Sequence, residues 1–324
     1  MSNMKHSLSS NKQTFEYFKN QIVDGVTGVV RIDSGKLGPV LGITACTHGN
    51  EPAGLAIFAH LLEELDIRNT IKYGTLYLVI NNLAAAKKYF DLSDSDDKSC
   101  SRFLDINMNR LPKDVLTNES DERSEAKRAR ELRQIWKRFD YGIDIHSTES
   151  DIEPMIISKG GIFRQDLIRG FPIEKLISNI DRVQIGVPAY SFYGDANSSV
   201  FAIESGQHEK DATFVRAATC AESLLQNLHM LDGEPSVRID AYREFFIDAS
   251  VVFIDMSYDF VKNFTEEEMV SKGQVLAVSS NGLTDITAPF DGALIMPSTK
   301  RGAVKNINEE QAFISMPVHM RHIN

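Results

Sequence analysis

The sequence predicts an α/β protein: a sheet with helices on both faces, followed by a small C-terminal β domain. Over the first two thirds of the chain, short apolar runs rich in β-branched residues alternate with amphipathic helical segments, the pattern of a sheet whose connections cover its faces. From about Pro235 the helical periodicity stops, and short strand-like runs separated by Gly, Pro, Asn and Asp take over. A chain of 324 residues has room for one large unit and one smaller one. We divide it into an α/β domain, 1–234, and a β domain, 235–324.

The elements follow in order. VTGVVRI (26–32) and PVLGITAC (39–46) read as strands bounded by Gly, Pro and Asp. PAGLAIFAHLLEELD (52–66) opens with Pro at a first-turn position and repeats apolar residues at helical spacing. GTLYLVINN (74–82) is a third strand, and the acidic stretch DLSDSDDKSC (91–100) has loop composition. SEAKRARELRQIWKRF (124–139) is a charged helix with Ala129, Leu132, Ile135, Trp136 and Phe139 on its apolar side. YGIDIHS (141–147), EPMIISKG (153–160), DRVQIGV (181–187) and SVFAIESG (199–206) read as strands, and 209–231 as a long helix. After Pro235, the strand-like runs are REFFIDASVVFIDM, KGQVLAVSS, TDITAPFDGALIMPS and KNINEEQAFISM.

The bulk numbers narrow the function. A net charge of −10 argues against nucleic acid or an anionic membrane as the main partner, since phosphate contacts need a basic face. Small anionic substrates stay open, because an acidic protein can hold a local positive pocket. No apolar run approaches the roughly 18 residues of a membrane span, and the first twenty residues lack a hydrophobic signal core. Cys46, Cys100 and Cys220 are scattered and read as reduced thiols. Together these point to a cytoplasmic protein with a small-molecule substrate, and a homo-oligomer is compatible with the composition.

THGNEPAG (47–54), directly behind an apolar strand, offers His48 and Glu51 as metal ligands. Spacing alone does not single them out. Eight histidines and 45 acids in 324 residues make about one His-x-x-acid pair the chance expectation, and the chain holds five: His48/Glu51, His60/Glu63, His146/Glu149, His208/Asp211 and His229/Asp232. Position does: His48 follows a strand end that opens where α/β sheets bind ligands. Gly49, Asn50 and Gly54 permit the tight turn that returns Glu51 to the same point. A catalytic zinc takes three protein ligands and keeps one open position. The best third candidate is His146, which alternates with Asp144 on the strand YGIDIHS; the competing reading makes both histidines plain polar strand ends. His60 and His229 read as structural.

SRFLDINMNRLP (101–112) places Arg102, Asn109 and Arg110 in a loop, where guanidinium and amide groups suit a carboxylate or a developing oxyanion. Ordinary surface ion pairs are the alternative there. Glu204, after four apolar residues at the end of a strand, is a candidate general base, because burial raises a carboxyl pKa. A plain strand-end acid is its alternative.

His48-Gly49-Asn50-Glu51, Arg102 through Arg110, Asp144-Ile145-His146-Ser147 and Glu204-Ser205-Gly206 occur in an order that resembles the succinylglutamate desuccinylase/aspartoacylase family, relatives of the zinc carboxypeptidases. The C-terminal KGQVLA and APFDGALIMP also resemble the β domain of that family. The resemblance spans about residues 25 to 315. It implies a zinc carboxypeptidase-like mixed sheet flanked by helices, with a β domain closing over the site. It implies one Zn2+ per chain on His48, Glu51 and His146, with Glu204 as general base and Arg102 stabilising the oxyanion. Asn109 and Arg110 would bind a substrate carboxylate. The implied reaction is zinc-dependent hydrolysis of the linear amide bond of a small N-acyl amino acid. A zinc carboxypeptidase on short peptides and a non-catalytic metal- or small-ligand-binding relative are the alternatives. The chain departs from the family pattern at Asn107, where Asp is usual, at INNL, which lacks a proline, at Ser147-Thr148-Glu149, and at Gly194, where aspartoacylase has an arginine. The chemistry carries over; the particular acyl amino acid does not.

Overall fold

Near-continuous apolar runs build one large sheet that buries both of its faces. The structure, a computed structural model, describes residues 8–93, 95–149, 151–159, 164–297, 310–316 and 319–322. The start of the N-terminal stretch and parts of the strand-like runs at 284–298 and 305–316 lie outside the described residues. Seven strands come from the first 234 residues: β1 (Val29–Asp33), β2 (Val40–Ala45), β3 (Thr75–Ile80), β4 (Tyr141–Thr148), β5 (Met155–Ser158), β6 (Lys175–Ser178) and β7 (Ser199–Gln207). Five more follow: β8 (Ala241–Val252), β9 (Met269–Val270), β10 (Gly292–Ile295), β11 (Glu310–Ser315) and β12 (His319–His322). They join in the order β9-β10-β11-β8-β6-β5-β7-β4-β2-β3-β1, with β12 also on β8. The centre is parallel, β4 lying between β2 and β7; β1 runs antiparallel to β3, β5 runs antiparallel to β7 but parallel to β6, and most of the C-terminal strands run antiparallel to their neighbours.

The helices follow the expected division. On one face, α1 (Leu8–Phe18), α2 (Ala53–Ala59) and α5 (Asp211–Asn227) pack on Leu41, Ile43, Ile143, Ile145 and Ile203. On the other, α4 (Ser124–Trp136) packs with Tyr193 on Val79, Val200 and Ala202. Between these two in sequence, α3 (Leu83–Asp91) starts at Asn82, whose side chain accepts from the Ala85 N–H. Ring packing explains Gly42: a Cβ there would lie 2.1 Å from the Phe139 ring.

Two local readings change. The run 181–187 is not a strand. Asn179 (φ 69°) opens a short helix, Ile180–Val183, and Gly186 (φ 75°) turns the chain back against Arg110. The strand of this region is β6, which opens with a fully buried lysine, Lys175. The helix after β2 is α-helical only to Ala59 and continues as a π-helical turn, His60–Glu64. His60 bonds Glu64, one residue beyond the acid expected from its spacing, and reaches across to Glu222 on α5.

The sheet crosses residue 234 without a break, because β8 pairs in parallel with β6. A separate three-stranded antiparallel sheet (Tyr258–Phe260, Val275–Ser279, Ile286–Thr287) adds a small core around Phe253, Phe260 and Phe264. The buried Lys175 ammonium pairs with Glu266 and Glu267, and Arg243 with Glu267, tying this C-terminal part to the main sheet.

Candidate metal centre

The site stands at the carboxyl ends of β2, β4 and β7, the central parallel strands. Backbone bonds from Asn81 N–H to Ala45 and from Asn82 N–H to Cys46 fix the end of β2. Cys46 then takes a left-handed conformation (φ 52°), and Glu51 N–H returns to the His48 carbonyl at 3.2 Å. Gly49 serves this turn by its small size: a Cβ there would lie 2.3 Å from the Ser101 carbonyl oxygen, and its N–H bonds Arg102 O at 2.9 Å. Gly54 likewise clears Ala45, whose Cβ a side chain would meet at 2.4 Å.

His48, Glu51 and His146 converge, all almost fully buried, with one donor atom of each within 4.8 Å of the others. His48 Nδ1 lies 2.7 Å from Glu51 Oε1, and His146 Nδ1 lies 2.7 Å from Glu51 Oε2. Their outward nitrogens meet acceptors: His48 Nε2 is 2.9 Å from Asn107 Oδ1, and His146 Nε2 is 3.0 Å from Asp144 Oδ2. Asn107 Oδ1 also accepts the Asn109 backbone N–H at 2.8 Å, which identifies it as the oxygen. His48 Nε2 must therefore carry the proton.

Burial, with Arg102 adding to it, lowers the His48 pKa to about 4, so the ring is neutral and Nδ1 is a lone pair. Glu51, which burial alone would raise, is held well below the usual carboxylate range by the two histidines. Both Nδ1 atoms converge on the one Glu51 carboxylate at 2.7 Å, a point that a single cation could share with all three side chains. Two imidazole nitrogens and a carboxylate, each histidine oriented through its other nitrogen, form a donor set that suits zinc.

Under the site lies a buried polar floor. Asp144 accepts from Thr44 Oγ1 at 2.6 Å and from Thr47 Oγ1 at 2.9 Å. Asn81 Nδ2 donates to Thr47 Oγ1 and to Tyr193 Oη, and Trp136 Nε1 donates to Asn81 Oδ1. Asp144 and Glu51 hold the His146 pKa well above its ordinary value against the effect of burial.

Glu204 stands beside His146, its register partner on β7. Its Oε2 is sealed from solvent and has no partner among the described residues, and burial lifts its pKa to about 8. Arg102 Nη1 donates to Glu51 Oε1 at 2.8 Å. Asn109 Nδ2 approaches His146 Nε2 at 3.4 Å. Arg110 is engaged within the chain: Nε and Nη2 meet Glu310 Oε2 at 2.6 Å, and Nη1 donates to Asn109 O.

These residues line one cleft of about 140 Å³, closed by Tyr190 and by Met296 and Phe313 from the C-terminal part. All seven candidates fall in or against this cleft. Tyr190, not anticipated from sequence, is buried with its hydroxyl unpartnered among the described residues. Gly194 lies outside the cleft lining, in a turn (φ 62°) where a Cβ would meet Ser198 Oγ at 2.0 Å; no side chain fits there. His208 bonds Ser147 Oγ at 2.8 Å through Nδ1.

The fold and the donor cluster define an α/β protein with a candidate metal centre at the carboxyl edge of its sheet. Residues 37–168 match the succinylglutamate desuccinylase/aspartoacylase catalytic domain. Similar solved structures include the succinylglutamate desuccinylase of Vibrio parahaemolyticus (15% identity, TM-score 0.64, covering 89% of this chain and 86% of that one). Another is that of Chromobacterium violaceum (15%, 0.64, 96% and 99%), and a third is murine aminoacylase 3 (18%, 0.60, 89% and 98%). At these identities the likeness is one of fold. No curated protein matches the chain by sequence. Among the described residues no helix is long and apolar enough to cross a membrane.

Proposed function

We propose that the chain is a zinc-dependent hydrolase that cleaves the amide bond of a small N-acyl amino acid. The observation that carries this reading is a three-donor cluster beside one small cleft that also holds Glu204, whose Oε2 has no partner among the described residues. The names of the fold relatives, succinylglutamate desuccinylase and aminoacylase, agree with it.

His48 Nδ1, Glu51 and His146 Nδ1 would hold the ion, which when bound supplies Lewis acidity and makes water acidic enough to attack near neutral pH. Glu204 takes the proton of the attacking water at Oε2 and returns it to the leaving amine nitrogen. Arg102, whose Nη1 already points at the cluster, donates to the carbonyl oxygen as negative charge builds. Asn109 and Arg110 hold the substrate carboxylate, with Glu310 occupying the guanidinium until that carboxylate displaces it. Asp144 keeps His146 aimed through Nε2. A cleft of about 140 Å³ favours a small acyl amino acid over a peptide.

Metal analysis of the purified protein, paired with a hydrolysis screen over N-acetyl, N-formyl and N-succinyl amino acids, tests the proposal. About one zinc per chain with turnover of one class is expected. Zinc without any hydrolysis would leave a metal-binding relative that has lost turnover, and absence of zinc would remove the reading.

A further inference from the structure

A second cavity, of about 680 Å³, shares no lining residue with the cleft. Asn11 of α1, Asn50, Pro52, Tyr89 and Phe214 form its buried part, and Asp97, Lys98, Glu149 and Glu209 stand around it. Asn11 is 1% exposed and Asn50 5%, yet the side-chain oxygen of each has no partner among the described residues.

We propose that this cavity binds a small organic ammonium ion. Buried amide oxygens call for N–H donors, and native proteins rarely leave such acceptors unmet. An apolar ligand would leave both oxygens unsatisfied, and an anion would meet acceptors on the buried walls and three carboxylates against one lysine nearer solvent. A primary ammonium offers three N–H donors and the positive charge those carboxylates attract. Pro52, Tyr89 and Phe214 supply the apolar and aromatic surface that a short carbon stem needs, and aromatic faces attract cations. The Tyr89 ring already has the Lys98 ammonium 5.0 Å from its centre. His208, whose Nε2 is buried with no partner among the described residues, adds a further polar atom.

The test is a chemical-shift titration of the isotope-labelled whole chain with n-butylammonium, and with 1-butanol and butyrate as neutral and anionic counterparts, at constant ionic strength. Saturable binding of butylammonium is expected, with the two counterparts at least tenfold weaker. Asn11→Leu should weaken it at least tenfold without lowering the melting temperature, since the substitution removes an unsatisfied buried oxygen. The double variant Glu149→Gln/Glu209→Gln changes only exposed side chains and should weaken binding at least threefold, so the test survives if Asn11→Leu does not fold. Equal binding of all three probes, no saturation by butylammonium, or binding undiminished in the variants that fold would overturn the proposal. Because binding is read without turnover, its failure is distinct from failure of the deacylase reading.

Discussion

His146 and Glu204 are register partners on neighbouring parallel strands, and both face the same cleft. The sheet therefore fixes the spacing of a metal-ligand candidate and a base candidate by backbone hydrogen bonds. Glu204→Gln preserves shape and leaves the three donors untouched. It should retain bound zinc while lowering kcat by about 10²–10⁴. Metal content and kcat measured on one preparation check this, and unchanged turnover would move the base elsewhere.

Asp144 orients His146 and is itself held by Thr44 and Thr47. Asp144→Asn should weaken zinc binding roughly 10- to 100-fold, read by competition with a chromophoric chelator. Thr47→Val, which removes one of Asp144's supports, should show a smaller loss in the same direction. Wild-type affinity in both would mean that strand geometry alone aims His146.

Glu310 pairs with Arg110, which lines the cleft. Glu310→Gln should free the guanidinium and lower KM for a carboxylate-bearing substrate several-fold, with kcat little changed. A rise in KM would instead assign Glu310 to positioning Arg110.

Gly49 has no room for a methyl group against Ser101 O and Ala85 O. Gly49→Ala should destabilise the fold by about 1–3 kcal/mol through overpacking, measured as a shift in the urea midpoint. An unchanged midpoint would show that the turn yields.

His60 offers a pH signature away from the site. Burial lowers its pKa, but Glu222 and Glu64 more than offset this, and the folded-state value rises above 6.5. The folded protein thus holds this proton more tightly than the unfolded chain does. Its contribution is full below the unfolded pKa of about 6.5 and is lost as pH climbs through the folded value. His60→Gln should cost more stability near pH 6 than near pH 9 in paired urea titrations, and equal costs would show that no proton is shared.

The sequence and the structure agree where chemistry coincides with a strand end. His48, His146 and Glu204 stand at the ends of apolar runs, with Glu51 in the turn behind His48, and parallel pairing of β2, β4 and β7 brings those ends together. Thr44, Asn81, Trp136 and Tyr193 stayed hidden because a threonine in a strand or a tryptophan on a helix reads as ordinary packing; their connection exists only across the sheet. The strand β6 was misplaced because Lys175 looks like a surface residue until Glu266 and Glu267, about ninety positions later, arrive to pair with it. Gly49 and Gly54 were read as conformational freedom, whereas the structure uses them as clearance.

The bond between β6 and β8 has a mechanical result. Glu204 on β7 and Phe313 on β11 both line the cleft, and both belong to one continuous hydrogen-bonded sheet. Opening the cleft by swinging the C-terminal part away would break backbone bonds along β8, so ligand passage depends on side chains such as Met296 and on the loop bearing Arg102. Such a slot selects by rejecting what is too wide, and its selectivity should vary little with temperature compared with that of an enzyme that closes around its ligand.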